Sequence, residues 1–488
     1  MLKVLMVASE AAPFAKTGGL ADVVGALPAA LADSGCEAAV LMPRYRRIEL
    51  TGARRVYDSL PIWIGSDVYD TSVYQAGNEA GTTFYLLECP PLYDRDGLYG
   101  DSSGDYADNA IRFAVLSRAA LAVARRVYRP HILHCHDWQT ALVSAYLRTV
   151  FPLDPTFMAL KTVFTIHNLG YQGLFLPDVL PRIGIERQWF TTEGVEFYGK
   201  VNLLKGGLVF SDALTTVSRG YAAEIQTKEY GFGLDGVLRA RSADLHGILN
   251  GVDYRDWNPA NDPYIAAHYT PQDLSGKQDC KRDLLREFGL PDSAMDRPLL
   301  GVVSRLASQK GTDLILEIVP QLAADGLRLV MLGAGDASYE ARLRQVAAAH
   351  PDYIRVQIGY DDSLAHKIEA GADIFLMPSR YEPSGLNQMY SLRYGTVPVV
   401  RATGGLDDTI DEDTGFKFRE YSAAALLAAI REASAAFEKR PAWEAMMRRG
   451  MQKDFSWRAS AAEYAALYRK LLDRGINDLH PLAGSKIK

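Results

Sequence analysis

Two doubly wound, Rossmann-like α/β domains facing an interdomain cleft are the fold class this sequence predicts. Three observations predict it. Short apolar runs alternate with longer stretches of helical period, the order that builds a parallel sheet covered by helices on both faces. The alternation runs through the first half, pauses in a stretch rich in Pro, Asp and Asn, and starts again near residue 298. The 488 residues are also too many for one ordinary domain.

In chain order, "LKVLMVAS" is the first buried strand, and "KTGGLADVVGALP" (16–28) opens a helix directly behind it. "AAVLMP" (38–43), "HILHCHDW" (131–138), "KTVFTIHN" (161–168) and "DALTTVS" (212–218) are further strands, with "NAIRFAVLSRAALAVARRV" a helix among them. The stretch "DYRDWNPANDPYIAAHYTPQDLSGKQDC", within 253–298, reads as an interdomain connection. The second series is "RPLLGVVSR", "LRLVMLGAG", "YIRVQIGY", "ADIFLMPSR" and "TVPVVRATGG", each strand again feeding a helix. "TGGLADVV" (17–24) and "TGGLDDTI" (403–410) use the same strand–turn–helix device in both halves. "DFSWRASAAEYAALYRKLLDR" (454–474) closes the chain as one amphipathic helix with Ser456 placed as its N-cap. The boundaries expected are 1–252, a connection 253–297, 298–453, and a terminal element 454–488.

Composition narrows the function. Hydrophobic residues at 48% and charged residues at 23% suit a soluble protein with sizeable cores. A net charge of −6 argues against nucleic acid as the main partner, so any anion site is local. Cys36, Cys89, Cys135 and Cys280 lie far apart without a C-x-x-C, which fits a reduced cytoplasm. The first apolar run meets Glu10 at once, a strand rather than a signal peptide, and no run of about 18 apolar residues spans a membrane.

Ligands of doubly wound sheets bind beyond the strand carboxyl ends, so the turns there are the candidate site. Lys16 with Gly18 and Gly19 offers a cation and open backbone at a helix start, suited to an anion; the plainer reading is a tight turn with a surface lysine. "VVSRLASQKG" (302–311) puts Arg305 and Lys310 on one turn, suited to a diphosphate whose charge must be neutralised as it leaves, or simply a charged surface turn. "SRYEPSGLNQ" (379–388) sets Glu382 beside Ser384 and Gly385, acceptor and donor groups together for sugar hydroxyls. Tyr360 in "GYDD" is either a half-buried aromatic or a stacking surface for a base. A nucleoside-diphosphate sugar accounts for all four turns together.

Other motifs fail. "GFGLDG" (231–236) satisfies G-x-G-x-x-G without a strand before it, and "GVEFYGKV" (194–201) has Val201 where a P-loop needs Ser or Thr. "HILHCHDW" invites zinc, yet lacks a second ligand pair at metal spacing; a strand end delivering His136 and Asp137 fits better. "DRD" (94–96) and "DED" (411–413) read as solvated loops.

The same residues resemble the bacterial glycogen synthase and starch synthase family, glycosyltransferases with the two-domain B-type fold. The resemblance covers almost the whole chain, through "SEAAPFAKTGGLADVVGALP", "YDRDGLYG", "HCHDWQT", "TIHNLGYQG", "LNGVDYRDWNP", "VVSRLASQKG", "LGAGD", "SRYEPSGLNQ", "RYGTVPVVRATGGL" and "DFSW". It implies glucose transfer from ADP-glucose to the non-reducing end of an α-1,4-glucan with retention; no cofactor is expected, and no metal is required where Lys16, Arg305 and Lys310 supply the positive charge. It implies that Lys16, Arg305 and Lys310 bind the diphosphate, that Gly18 and Gly19 line that turn, and that Tyr360 faces the adenine. His167 and Asn250 would contact the glucose, Glu382 would hold its hydroxyls with Ser384 and Gly385, and Leu386 and Asn387 would line the same nucleotide-sugar site. Asp137 would sit by the reacting centre and Tyr93 by the acceptor, while the last helix would cross back onto the first domain. Ser384 stands where many members have Cys, and Asn387 where many have Thr, which weakens a diphosphate contact from Asn387. The segment after the second TGGL is also shorter than in many members.

Retention admits two mechanisms. A carboxylate nucleophile would recruit Asp137 or Glu382; hydrolases that work so keep their carboxyl pair about 5 Å apart. A front-face reaction, in which the departing diphosphate helps deprotonate the attacking hydroxyl, leaves the protein to position both sugars and stabilise the leaving group. The second suits these residues better. A dehydrogenase would need a glycine fingerprint after a strand, and a pyridoxal phosphorylase a Schiff-base lysine. A glucan-binding protein without activity would have no use for Arg305 and Lys310 together.

Overall fold

The computed structural model describes residues 1–78 and 80–473; the part of the expected terminal element beyond 473 lies outside them. The chain forms two compact units. One comprises Met1–Val217, Ala222–Gly251 and the chain from Trp457, the other Ser218–Tyr221 and Val252–Ser456.

In the first unit, β1 (Leu2–Val7), β2 (Cys36–Pro43), β3 (Arg54–Ile64), β4 (Asp67–Gly77), β5 (Thr83–Glu88), β6 (Ile132–His136), β7 (Lys161–Ile166), β8 (Ala213–Thr216) and β9 (Leu245–Gly247) share one sheet. Their order is β9-β8-β7-β6-β1-β2-β5-β4-β3. Pairing is parallel from β9 to β5, while β3 and β4 add an antiparallel hairpin at one edge. That hairpin is absent from the sequence reading, although Leu60, Ile62 and Ile64 alternate with exposed neighbours as a half-covered strand requires. The central strands β6 and β7 are buried along their whole length because helices cover both faces. The sheet winds outward from β1 in both directions, so its switch point lies between β1 and β6.

The helix Asn109–Val123 forms as its apolar period predicts, then widens into a π-helical turn over Ala124–Tyr128. The last helix, Trp457–Asp473, packs on the helix Gly19–Ala32 within this unit. Its Tyr468 hydroxyl bonds His134 Nδ1 at 2.7 Å. A Cβ at Gly251 would stand 2.6 Å from the Trp457 backbone, so only glycine admits the approach.

In the second unit, β10 (Leu299–Val303), β11 (Arg328–Gly333), β12 (Ile354–Ile358), β13 (Ile374–Met377), β14 (Val397–Arg401) and β15 (Phe416–Phe418) form an all-parallel sheet. The order is β12-β11-β10-β13-β14-β15, the 3-2-1-4-5-6 winding of dinucleotide-binding sheets, with its switch point between β10 and β13. Alternate strand residues serve two cores: Leu300, Val302, Met331 and Leu376 face one, and Leu299, Val330, Leu332 and Phe375 the other. Residues 253–297, read from the sequence as a connection, pack within this unit. Trp257 stacks between His366 (centroids 3.7 Å) and Tyr390 (3.9 Å), and the buried pair Lys281–Asp373 (2.7 Å) ties helix Ser275–Glu287 to the sheet.

Candidate active site

Each switch point carries one cluster of the expected residues. In the first unit the turn after β1 runs from Ala8 into helix Gly19–Ala32. Inside it the buried Glu10 carboxylate accepts from the Thr17 backbone N–H (2.6 Å) and hydroxyl (2.8 Å), closing the turn that presents Lys16. The Lys16 ammonium lies 2.7 Å from Asp22 and is half exposed. Burial pushes the Glu10 carboxyl up to about 7, against the lowering effect of the Thr17 bonds. Cβ atoms at Gly18 and Gly19 would meet nothing within 4 Å, so packing does not require glycine there.

Across the switch point, β6 ends in His136 and delivers Asp137 with a backbone at φ 56° and ψ −178°. A non-glycine residue in that region is strained, the kind of strain that collects at functional sites. The Asp137 carboxylate accepts from the His167 N–H at 2.7 Å, and desolvation still lifts its pKa to about 7. His167, at the end of β7, shares a 3.0 Å bond with His136, so one neutral imidazole donates to the other. Desolvation holds His134 and His167 near 3 and His136 well below its ordinary value, so the three rings stay neutral. His136 Nε2 has no partner, and neither does Oδ1 of the buried Asn250, just beyond β9. An orphaned buried acceptor such as Asn250 Oδ1 suits a hydroxyl donor from a ligand.

Tyr93 departs from expectation. Its ring is fully buried, and its hydroxyl donates to the Arg112 carbonyl at 2.6 Å. A side chain with no exposed surface and a satisfied hydroxyl cannot touch a glucan, so the acceptor contact expected of Tyr93 is withdrawn.

In the second unit the turns after β10 and β13 meet. Lys310 lies 2.6 Å from Glu382, whose Oε2 also accepts from the Ser379 hydroxyl at 2.9 Å. Gly311 adopts φ 74°, and a Cβ there would stand 2.1 Å from the Pro378 carbonyl, so glycine lets the two turns touch. Arg305 is exposed and reaches Gln309 at 3.2 Å, while Gln309 donates to the Tyr381 carbonyl at 3.3 Å. Both cations and Glu382 thus sit on one coupled pair of turns.

Downstream, the Glu382 carbonyl accepts from Gly405 N–H at 3.0 Å, and Gly405 abuts Ser384 so closely that a Cβ would fall 2.0 Å from its carbonyl. The Ser384 hydroxyl makes only a long contact (3.4 Å) to Gly385, and Gly385 takes φ 64°. Leu386 precedes the helix Asn387–Arg393. Asn387 Nδ2 donates to the Val303 carbonyl at 2.7 Å, which ties the two turns together at the switch point. That is a structural task for one of the two amide N–H groups, at a position where Asn in place of Thr already weakens a diphosphate contact. Tyr360, beyond β12, is 81% exposed, which decides against a half-buried core ring.

The sequence reading missed Glu10 and Ser379, the groups that hold Lys16's turn and Glu382. Glu10 had a signal, a carboxylate at the end of an apolar strand; Ser379 had none. Among the described residues no group of three or more His, Cys, Asp or Glu is arranged to hold a metal ion. No helix among them is long and apolar enough to cross a membrane.

Residues 3–240 match the family described as the starch synthase catalytic domain, and residues 288–448 the glycosyl transferases group 1. The chain is 51% identical over 476 residues to the glycogen synthase of Koribacter versatilis, covering 96% of this chain and 98% of that one. It is 50% identical over 478 residues to that of Anaeromyxobacter dehalogenans, covering 96% and 100%. Among solved structures, the catalytic domain of starch synthase IV from Arabidopsis thaliana, bound to ADP and acarbose, superposes with a TM-score of 0.90. Its identity is 32%, over 97% of this chain and 100% of that one.

Proposed function

The chain belongs to the glycogen and starch synthase family of retaining glycosyltransferases with the B-type fold, and we propose that it adds glucose from ADP-glucose to the 4-hydroxyl at the non-reducing end of an α-1,4-glucan. The observation that carries this reading is the paired turn at the second switch point, with Arg305, Lys310 and Glu382 on one carboxyl edge. Arg305 and Lys310 take the diphosphate, and Lys16 adds the charge of the first unit. Lys310, with three N–H donors, keeps Glu382 while it meets an anion. Glu382, Ser384 and Gly385 hold the glucose, Leu386 lines the nucleotide-sugar site beside them, and Tyr360 offers its exposed face to the base.

Asn250 and His167 meet sugar hydroxyls on the first unit, with Asp137 beside the reacting centre. The Asp137 carboxylate is held by the His167 N–H at 2.7 Å, an arrangement that suits positioning and the front-face course. There the bond from glucose to the diphosphate breaks, the acceptor hydroxyl attacks from the same face, and its proton passes to the departing phosphate. Positioning and charge supply the catalysis. We assign no cofactor and no metal, and place the reaction in the cytoplasm, with which four free, buried cysteines agree.

Incubation with glycogen and labelled ADP-glucose tests the proposal: label appears in glycogen, and an enzyme that leaves glycogen unlabelled sinks it. Stacking on Tyr360 attracts any base, so donor choice rests on edge hydrogen bonds. UDP-glucose, offered with the same acceptor, is expected to be used at least about tenfold less efficiently in kcat/KM, roughly 1.4 kcal/mol.

A further inference from the structure

Two glycine-bearing stretches that fail as phosphate loops share another feature. In "GVEFYGKV", Tyr198 and Gly199 form the two-residue turn between the paired strands Glu196–Phe197 and Lys200–Asn202, at φ 49° and 78°. Such turns need left-handed backbone at both positions and favour Asn-Gly. In "GFGLDG", Phe232 and Gly233 are the central residues of a turn closed by Leu234 N–H on the Gly231 carbonyl (2.7 Å), with no strands beside it, at φ 48° and 83°. Aromatic residues rarely adopt this conformation, and it is unfavourable for them. Both rings nevertheless face outward, Tyr198 82% exposed and Phe232 40%.

The two turns lie side by side. A Cβ built on Gly233 would come 3.3 Å from the Tyr198 ring and 2.9 Å from that of Phe197, which supports Tyr198 edge-on at 4.7 Å between centroids. They also join the candidate site. Gln172 donates to the Phe232 carbonyl at 3.1 Å and accepts from Asn202 at 2.7 Å, and Gln172 lies five positions beyond His167. Its neighbour Gly173 packs so tightly on Trp138 that a Cβ would fall 2.4 Å from the indole, and Trp138 follows Asp137.

We propose that Tyr198 and Phe232 form a stacking platform for an α-glucan chain, an acceptor-binding surface on the first unit that extends from the Asp137–His167 cluster. This rests on the glucan acceptor of the proposed function. Glucose rings present C–H faces that pack on aromatic rings, while their hydroxyls stay in water at the rim. A strained, exposed aromatic pair does nothing for folding that Asn would not do better, and continuity with the reacting centre points to its substrate as the occupant.

Calorimetric titration of the full chain with maltoheptaose tests the platform. Tyr198→Asn places the preferred residue in the turn, so its thermal midpoint should equal or exceed that of the unaltered protein. Its affinity for maltoheptaose should nevertheless fall about threefold or more, and about tenfold in the double variant with Phe232→Ala. Tyr198→Phe, which keeps the ring, should bind within about twofold of the unaltered protein. Unchanged affinity in Tyr198→Asn overturns the platform, as does equal loss in Tyr198→Phe. If Phe232→Ala does not fold, Tyr198→Asn decides alone. Failure of the unaltered protein to label glycogen sinks the transferase reading instead; labelling with unchanged variant affinity sinks only the platform.

Discussion

At the scale of single residues, charge placed where a leaving group departs is the largest lever. A preorganised donor there is typically worth about 2.7–4 kcal/mol, roughly a hundred- to thousandfold in rate. Arg305→Ala and Lys310→Ala should each lower kcat on that scale with the fold intact, measured with glycogen and ADP-glucose. The two differ in one respect. Removing Lys310 strands the buried Glu382 carboxylate, which then keeps only the Ser379 hydroxyl as its polar side-chain partner in the turn. Lys310→Ala should therefore also lower the thermal midpoint, whereas Arg305→Ala, at an exposed position, should leave it nearly unchanged. Near-normal turnover in both variants would remove the phosphate assignment. Asn387 has a structural task as well, since its amide donates to the Val303 carbonyl and ties the two turns together.

At the scale of elements, the turns after β10 and β1 use glycine for different reasons, and the difference is measurable. Gly311 needs its left-handed φ and has the Pro378 carbonyl where a Cβ would go. Gly311→Ala should cost about 1–2 kcal/mol for the backbone alone, and more as the β13 turn is pushed away. Turnover should fall with it, because Lys310 and Glu382 lose their register. Gly18 has an extended backbone and open space at its Cβ, so Gly18→Ala should stay within about 0.5 kcal/mol of the unaltered stability. If a ligand approaches that backbone closely, the same variant should raise KM for the donor. Chemical denaturation read beside kinetics separates the two cases, and a KM unchanged in Gly18→Ala would remove Gly18 from the donor site.

At the scale of the whole molecule, stability couples to pH through buried groups remote from the chemistry. Glu369 on helix Asp362–Gly371 is buried, accepts only from the Ser391 hydroxyl (2.6 Å), and leaves Oε1 unpartnered. Desolvation pushes its carboxyl up to about 8. A folded pKa above the unfolded value means that the native state holds the extra proton, so stability present below about pH 4.5 is lost as pH rises towards 8. Glu369→Gln does not titrate. Its stability relative to the unaltered protein should climb with pH between about 5 and 8, by up to about 1.4 kcal/mol per unit, in calorimetric scans. A difference independent of pH would show the carboxylate charged in the fold. The same division between local and distant runs through the molecule. The sequence by itself determined the central parallel strands, their alternation with helices, and the charged turns at their ends, because apolar period and turn chemistry are local properties of the chain; the edge hairpin of β3 and β4 and the short edge strands escaped it. Only the tertiary structure decided that β10 lies against β13, so that Lys310 meets Glu382 across 72 positions. It also decided that Tyr93 is interior and that Tyr198 lies beside Phe232 and its glycine. Such contacts depend on where each helix returns the chain to the sheet, and that is set by packing summed over the whole core rather than by any stretch of sequence.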